Sequence, residues 1–228
     1  MFSFGTDQLT VDTALAIARG EMPSQMDDTA RQKIRASSSA VKEIVDRQKT
    51  VYGVNTGFGI LANTPISEED TATLQYKILQ SHSVGVGENI DPLIAKLMLI
   101  TKVQALAQGY SGVQEKTLER ICWFIEQDII PVVPCKGSVG ASGDLAPLSH
   151  LCLPLIGLGE LWYKGKTYPS SQLLKQFNLE PVQLGPKEGL ALINGTQFIL
   201  AHAVLAVERL KNCLDAADII GAMSLESL

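Results

Sequence analysis

The chain has 228 residues, 46% of them hydrophobic and 19% charged, with a formal net charge of −5. This balance excludes an intrinsically disordered chain and, with no basic patch, argues against a nucleic-acid partner. No basic-then-apolar signal opens the chain and no apolar run reads as long enough to span a bilayer, so the expectation is a cytoplasmic protein with no membrane partner. Cys122, Cys135, Cys152 and Cys213 are scattered without metal-ligand spacing, which predicts reduced thiols and no metal site.

In chain order, most segments read as helix. Thr10 is placed to cap a helix running to Arg19, with Gly20 as its stop. Ala30, Ile34, Ser37, Val41 and Ile44 fall at helical spacing after Asp27 and Asp28. A glycine-rich loop follows, Tyr52-Gly53-Val54-Asn55-Thr56-Gly57-Phe58-Gly59. Ser67 with Asp70 starts a helix through Leu74 and Ile78 that ends near Ser81 and His82. Asp91-Pro92 opens the next, expected to run to about Gln108, and Val113 to Gln127 forms another. Asp144 is placed to cap a helix that Pro154 and Gly157 end. Lys164-Gly165 joins two short strands in a small β-hairpin. The last helix runs from about Gly195, with Ile199, Ala203, Val207, Leu210 and Leu214 as its buried stripe. It stops at Leu228 with no terminating signal, as if cut within the element. The fold class is mainly α-helical.

Ala141-Ser142-Gly143 carries the most distinctive chemistry. The Gly143 amide nitrogen can attack the Ala141 carbonyl carbon, closing a ring through the Ser142 backbone. Loss of water, including the Ser142 hydroxyl, leaves an exocyclic methylene on an imidazolone. Ala141 adds little bulk at the attacked carbon, and Gly143 permits the backbone angles of closure. An amide nitrogen is a poor nucleophile, so the fold must hold it against the carbonyl. Ala-Ser-Gly alone commonly marks a loop or a helix start, so the surrounding residues decide the reading.

Those residues, Gly-Ser-Val-Gly-Ala-Ser-Gly-Asp-Leu-Ala-Pro-Leu from Gly137 to Leu148, resemble the signature of the aromatic amino acid lyase family. The resemblance implies the N-terminal part of that fold: residues 1–190 as the region with the ring-forming loop, and 191–228 as the start of a long central helical bundle. It implies a methylidene-imidazolone (MIO) group made from Ala141, Ser142 and Gly143, no external cofactor, and a homotetramer. Tyr52 matches the family's catalytic base, Asp144 a residue implicated in ring formation, and Asn194 a residue beside the MIO carbonyl. On their own, these residues also read as a packed tyrosine and two helix caps.

Ser81-His82 resembles the histidine-specific branch, where the histidine contacts the substrate imidazole. Tyrosine-specific members carry His-Leu at these positions and phenylalanine-specific ones Phe-Leu. Read alone, His82 is also a helix C-terminal residue serving the dipole. The implied reaction is elimination of ammonia from L-histidine to give urocanate, in histidine catabolism. The alternatives are a tyrosine- or phenylalanine-specific ammonia-lyase or an aminomutase of the same family, or an inactive truncated module without MIO.

Overall fold

The computed structural model describes residues 1–47, 51, 53, 54, 56, 68–140 and 143–228. Within these, β1 (Phe2–Phe4) pairs in parallel with β2 (Ser24–Met26), and α1 (Val11–Ala18) connects them. The Thr10 hydroxyl accepts from the Thr13 N–H, so the expected cap forms. Asp27 likewise caps α2 (Asp28–Asp46) by accepting from Ala30. The helix α3 (Glu68–His82) leads into β3 (Val86–Asn89); its expected Ser67 cap lies outside the described residues.

The helix α4 (Pro92–Leu106) is the spine of the core. Asp91 caps it through the Leu93 N–H, and Pro92 takes the first turn, where its missing donor is harmless. Leu97, Met98, Leu99, Ile100 and Val103 have at most 1% of their surface exposed, each burial contributing about 1.5–3 kcal/mol. Around α4 pack α1, α5 (Glu115–Glu126) and α9 (Gln197–Glu226). Arg31 and Arg35 of α2 pair with Glu115 of α5 and hold its carboxyl down at about 2.

Short strands frame the loop that precedes residue 141. Here β5 (Pro134–Lys136) pairs antiparallel with β3. The expected hairpin of β6 (Glu160–Tyr163) and β7 (Lys166–Pro169) gains a third strand, β4 (Ile130–Pro131), on the far edge of β6. Lys164 and Gly165 both adopt positive φ, as a tight hairpin turn requires. After α6 (Leu145–Cys152) the chain continues as a 3-10 turn, Leu153–Ile156, that Gly157 ends in the left-handed conformation. Pro154 therefore sits inside a helical turn rather than stopping it.

Two short helices, α7 (Ser170–Gln176) and α8 (Glu188–Ile193), were not anticipated. The Glu188 carboxylate anchors α8 from a fully buried position. It accepts from the backbone N–H groups of Gln114 and Gly185, the Gln114 amide and the Thr117 hydroxyl.

The last helix corrects one expectation. Its buried residues are Gln197, Ala201 and Val204, while Ile199, Val207, Leu210 and Leu214 are exposed and Ala203 lies on the open side. Apolar residues occur on both faces, so spacing alone could not say which face meets α4. By length and composition the helical stretch Glu188–Glu226 is apolar enough to cross a bilayer, contrary to the sequence reading. Its inner face instead packs into the protein core through Ala201 and Val204.

Candidate active site

Gly143 and Asp144 meet the Asn194-Gly195 segment directly. The Asp144 N–H donates to the Gly195 carbonyl at 2.7 Å. Gly143 lies at φ +104°, and a Cβ there would fall 2.5 Å from that same oxygen. Only glycine fits this close approach. The described member of the Ala141-Ser142-Gly143 tripeptide is thus held rigidly, backbone against backbone, as ring closure from Gly143 would need; Ala141 and Ser142 lie outside the described residues.

The Asp144 carboxylate does not cap its own helix, correcting the sequence reading. It occupies the N-cap position of α6 but makes no side-chain cap bond there. Instead Oδ2 accepts from the N–H groups of Phe198 and Ile199 at 3.0 and 3.1 Å, capping α9. Oδ1 accepts from the Ser138 hydroxyl at 2.8 Å. A fully buried carboxylate at a helix N-terminus meets unpaired donors and the positive end of the dipole. One residue therefore ties three segments: the loop from Gly137, the start of α6 and the start of α9.

Asn194 does not cap α9 either. It ends α8 in an extended conformation with its side chain exposed, and Thr196 holds the α9 N-cap position. Its backbone carbonyl accepts from Lys102 Nζ at 2.9 Å. Lys102 is only 1% exposed, and burial pushes it down to about 8. Sequence reasoning missed this residue. The available signal was a lysine in a predominantly apolar helix, where a buried ammonium must find a partner. Lys102, Lys187, Asn194 and Gln197 line a cavity of about 290 Å³.

His82 ends α3, half-buried. Its Nδ1 lies 2.8 Å from the Ile78 carbonyl, which can only accept, so Nδ1 carries a proton. That is the helix-end role anticipated for it, and it leaves Nε2 as the ring atom for other partners. The residues after His82 dock on α6: Ser83 donates to Ser149, and the Gly85 N–H to His150 Nε2. Gly137 packs on Gly85, with its would-be Cβ 3.0 Å from the Gly85 Cα.

Of the glycine-rich loop, Gly53, Val54 and Thr56 are described, with Val54 and Thr56 buried and Gly53 donating to the Thr56 hydroxyl. Tyr52 lies outside the described residues. The structure thus brings together described residues of three sequence-derived segments: 80–87, 137–140 with 143–144, and 192–197. Cys122 and Cys152 are pushed up to about 12 by burial, which leaves them inert thiols.

The sequence profile of the family "Aromatic amino acid lyase" matches residues 9–228. A histidine ammonia-lyase from Myxococcus xanthus is 42% identical over 222 residues, covering 97% of this chain and 44% of that protein. Among solved structures, histidine ammonia-lyase from Trypanosoma cruzi superposes with a TM-score of 0.83 at 37% identity, over 91% of this chain and 40% of that one. A tyrosine aminomutase from Streptomyces globisporus gives a TM-score of 0.85 at 31% identity, over 92% and 39%. The chain therefore spans less than half the length of these relatives.

Proposed function

The chain belongs to the aromatic amino acid lyase family, and on that premise we propose that it supplies the N-terminal share of a histidine ammonia-lyase active site. The reaction is loss of ammonia from L-histidine to give urocanate. The observation that carries the reading is the junction of Gly143 and Asp144 with Gly195, which packs Gly143 directly against the Asn194-Gly195 segment.

In this reading Ala141, Ser142 and Gly143 would form the MIO group, which would supply an electrophilic methylene to the site. The fit at Gly143 supports it, since that backbone is fixed where a side chain could not enter. Tyr52 removes the β-proton. A free phenol titrates near ~10, so Tyr52 needs positive potential around it to act as a base near neutral pH. The Asn194 amide would serve as a donor to negative charge developing in the site. His82 offers Nε2 to the substrate imidazole, with its ring orientation set by the Nδ1 bond to Ile78. Asp144 supports ring formation by fixing the turn between Ser138 and α9.

Histidine is favoured over tyrosine or phenylalanine by Ser81-His82 and by the histidine ammonia-lyase relatives. The exposed apolar residues of α9, among them Leu210, Leu214, Ile219 and Met223, support assembly with further copies as a tetramer.

Intact mass and a urocanate assay test the reading. The polypeptide should weigh two water molecules less than its sequence, and the complete enzyme should release urocanate from histidine but no cinnamate-type product from tyrosine or phenylalanine. Ser142→Ala should restore the full mass and abolish turnover. Full mass in the wild type, or undiminished activity in Ser142→Ala, would refute the assignment.

A further inference from the structure

The segment after His82 is gripped by consecutive residues of α6. Ser149 is fully buried; its hydroxyl donates to the Leu79 carbonyl and accepts from Ser83 at 3.0 Å. One residue on, His150 Nε2 lies 3.0 Å from the Gly85 amide nitrogen. A backbone N–H can only donate, so Nε2 must be the acceptor. His150 is therefore the neutral tautomer with its proton on Nδ1. Its would-be neighbours leave little slack, since a Cβ on Gly85 would sit 3.0 Å from Nε2 and 3.2 Å from the Lys136 carbonyl. Leu79, Ser83 and Gly85 bracket His82 in sequence, so α6 holds the chain on both sides of that ring.

We propose that His150 is a positioning residue, whose neutral imidazole fixes the Ser83–Gly85 turn and thereby the placement of His82 toward substrate. This role rests on the reading of His82 given above. Protonation would turn Nε2 into a second donor facing the Gly85 N–H, and the tether would be lost. Burial lowers the titration of His150 below the ordinary histidine value, which keeps the acceptor form in place near neutrality. Among residues with described side chains, the charged and titratable groups on the elements packed against α6 are Tyr76, Lys77 and His82 on α3, Lys96 and Lys102 on α4, Cys135 and Lys136 on β5, Glu188 on α8, and His202, Glu208, Arg209, Lys211, Cys213, Asp215, Asp218 and Glu226 on α9. None of these sets the shift, which burial alone accounts for.

The test compares wild type with His150→Gln, which keeps an acceptor that does not titrate, and His150→Phe, which keeps a ring without one. The first readout is the hydrogen-exchange protection factor of the Gly85 amide, followed by NMR against pH. Wild-type protection should fall as the imidazole protonates. His150→Gln should remain protected throughout, and His150→Phe should lose about tenfold at neutral pH, the equivalent of one hydrogen bond. In the complete enzyme, His150→Phe should raise KM for histidine several-fold with little change in kcat, and His150→Gln should restore it. Gly85 protection that is pH-independent in the wild type and unchanged in His150→Phe would overturn the tether. Protection lost with KM unmoved would overturn its role in binding. If His150→Phe does not fold, the wild-type pH series decides alone. A wild-type enzyme that ignores histidine overturns the substrate reading instead, and the Gly85 exchange data then stand separately.

Discussion

Lys102→Met should make the folded chain more stable near neutral pH while damaging the site. Burial takes the ammonium from 10.5 to about 8, and at about 1.36 kcal/mol per unit the folded state carries a penalty of roughly 3 kcal/mol for holding that charge. Methionine fills a similar volume without charge. It also removes the charge-assisted bond to the Asn194 carbonyl, a loss of about 1.5–3 kcal/mol, so the net gain is at most roughly 1 kcal/mol. For a chain of this length that is a rise in Tm of at most roughly 2–4 °C. The pH dependence follows from proton counts. Below about 8 both folded and unfolded chains are protonated at Lys102, and the full penalty applies. Between there and 10.5 the unfolded chain binds more protons, so wild-type stability rises with pH. The variant lacks that slope, and its advantage should vanish by pH 10.5. Urea unfolding of both proteins at neutral and alkaline pH measures the gap. A variant less stable than wild type at pH 7, or a gap that ignores pH, would refute the reasoning. Activity should move the other way, since Asn194 loses its anchor.

Asp144→Ala should lower stability by roughly 3 kcal/mol, because the Phe198 and Ile199 N–H groups and the Ser138 hydroxyl lose their shared acceptor; a urea midpoint close to wild type would contradict the cap. Gly143→Ala should cost roughly 2 kcal/mol or more in thermal melts, from positive φ and the clash with the Gly195 carbonyl, and should prevent the mass loss of ring formation. Glu188→Ala should destabilise by roughly 3 kcal/mol, since the Gln114, Thr117 and Gly185 donors lose their acceptor, with α8 the first segment to lose exchange protection.

What the sequence made legible was local. Thr10, Asp27 and Asp91-Pro92 announce their helices because a cap acts within a few residues. Lys164-Gly165 announces its turn for the same reason. The parallel pair β1–β2 and the pair β3–β5 were invisible, since strands of three or four residues carry no usable period and their partners are distant. Asp144 shows the same limit at the site. Its place before α6 suggested a cap for that helix, yet its carboxylate serves donors 54 and 55 residues onward. Lys102 and His150 owe their importance to where their polar atoms end up in three dimensions, which spacing cannot report.

The span bridged by Asp144 has a consequence for biosynthesis. A nascent chain that has just emerged past Gly143 has the tripeptide but not the wall it leans on, because Gly195, Phe198 and Ile199 have yet to be translated. The clamp closes only when the ribosome has delivered the first turn of α9. On the proposed ring chemistry, rearrangement at Gly143 would wait for a later part of the polypeptide, and a chain terminated before Gly195 would lack the contact that holds Gly143.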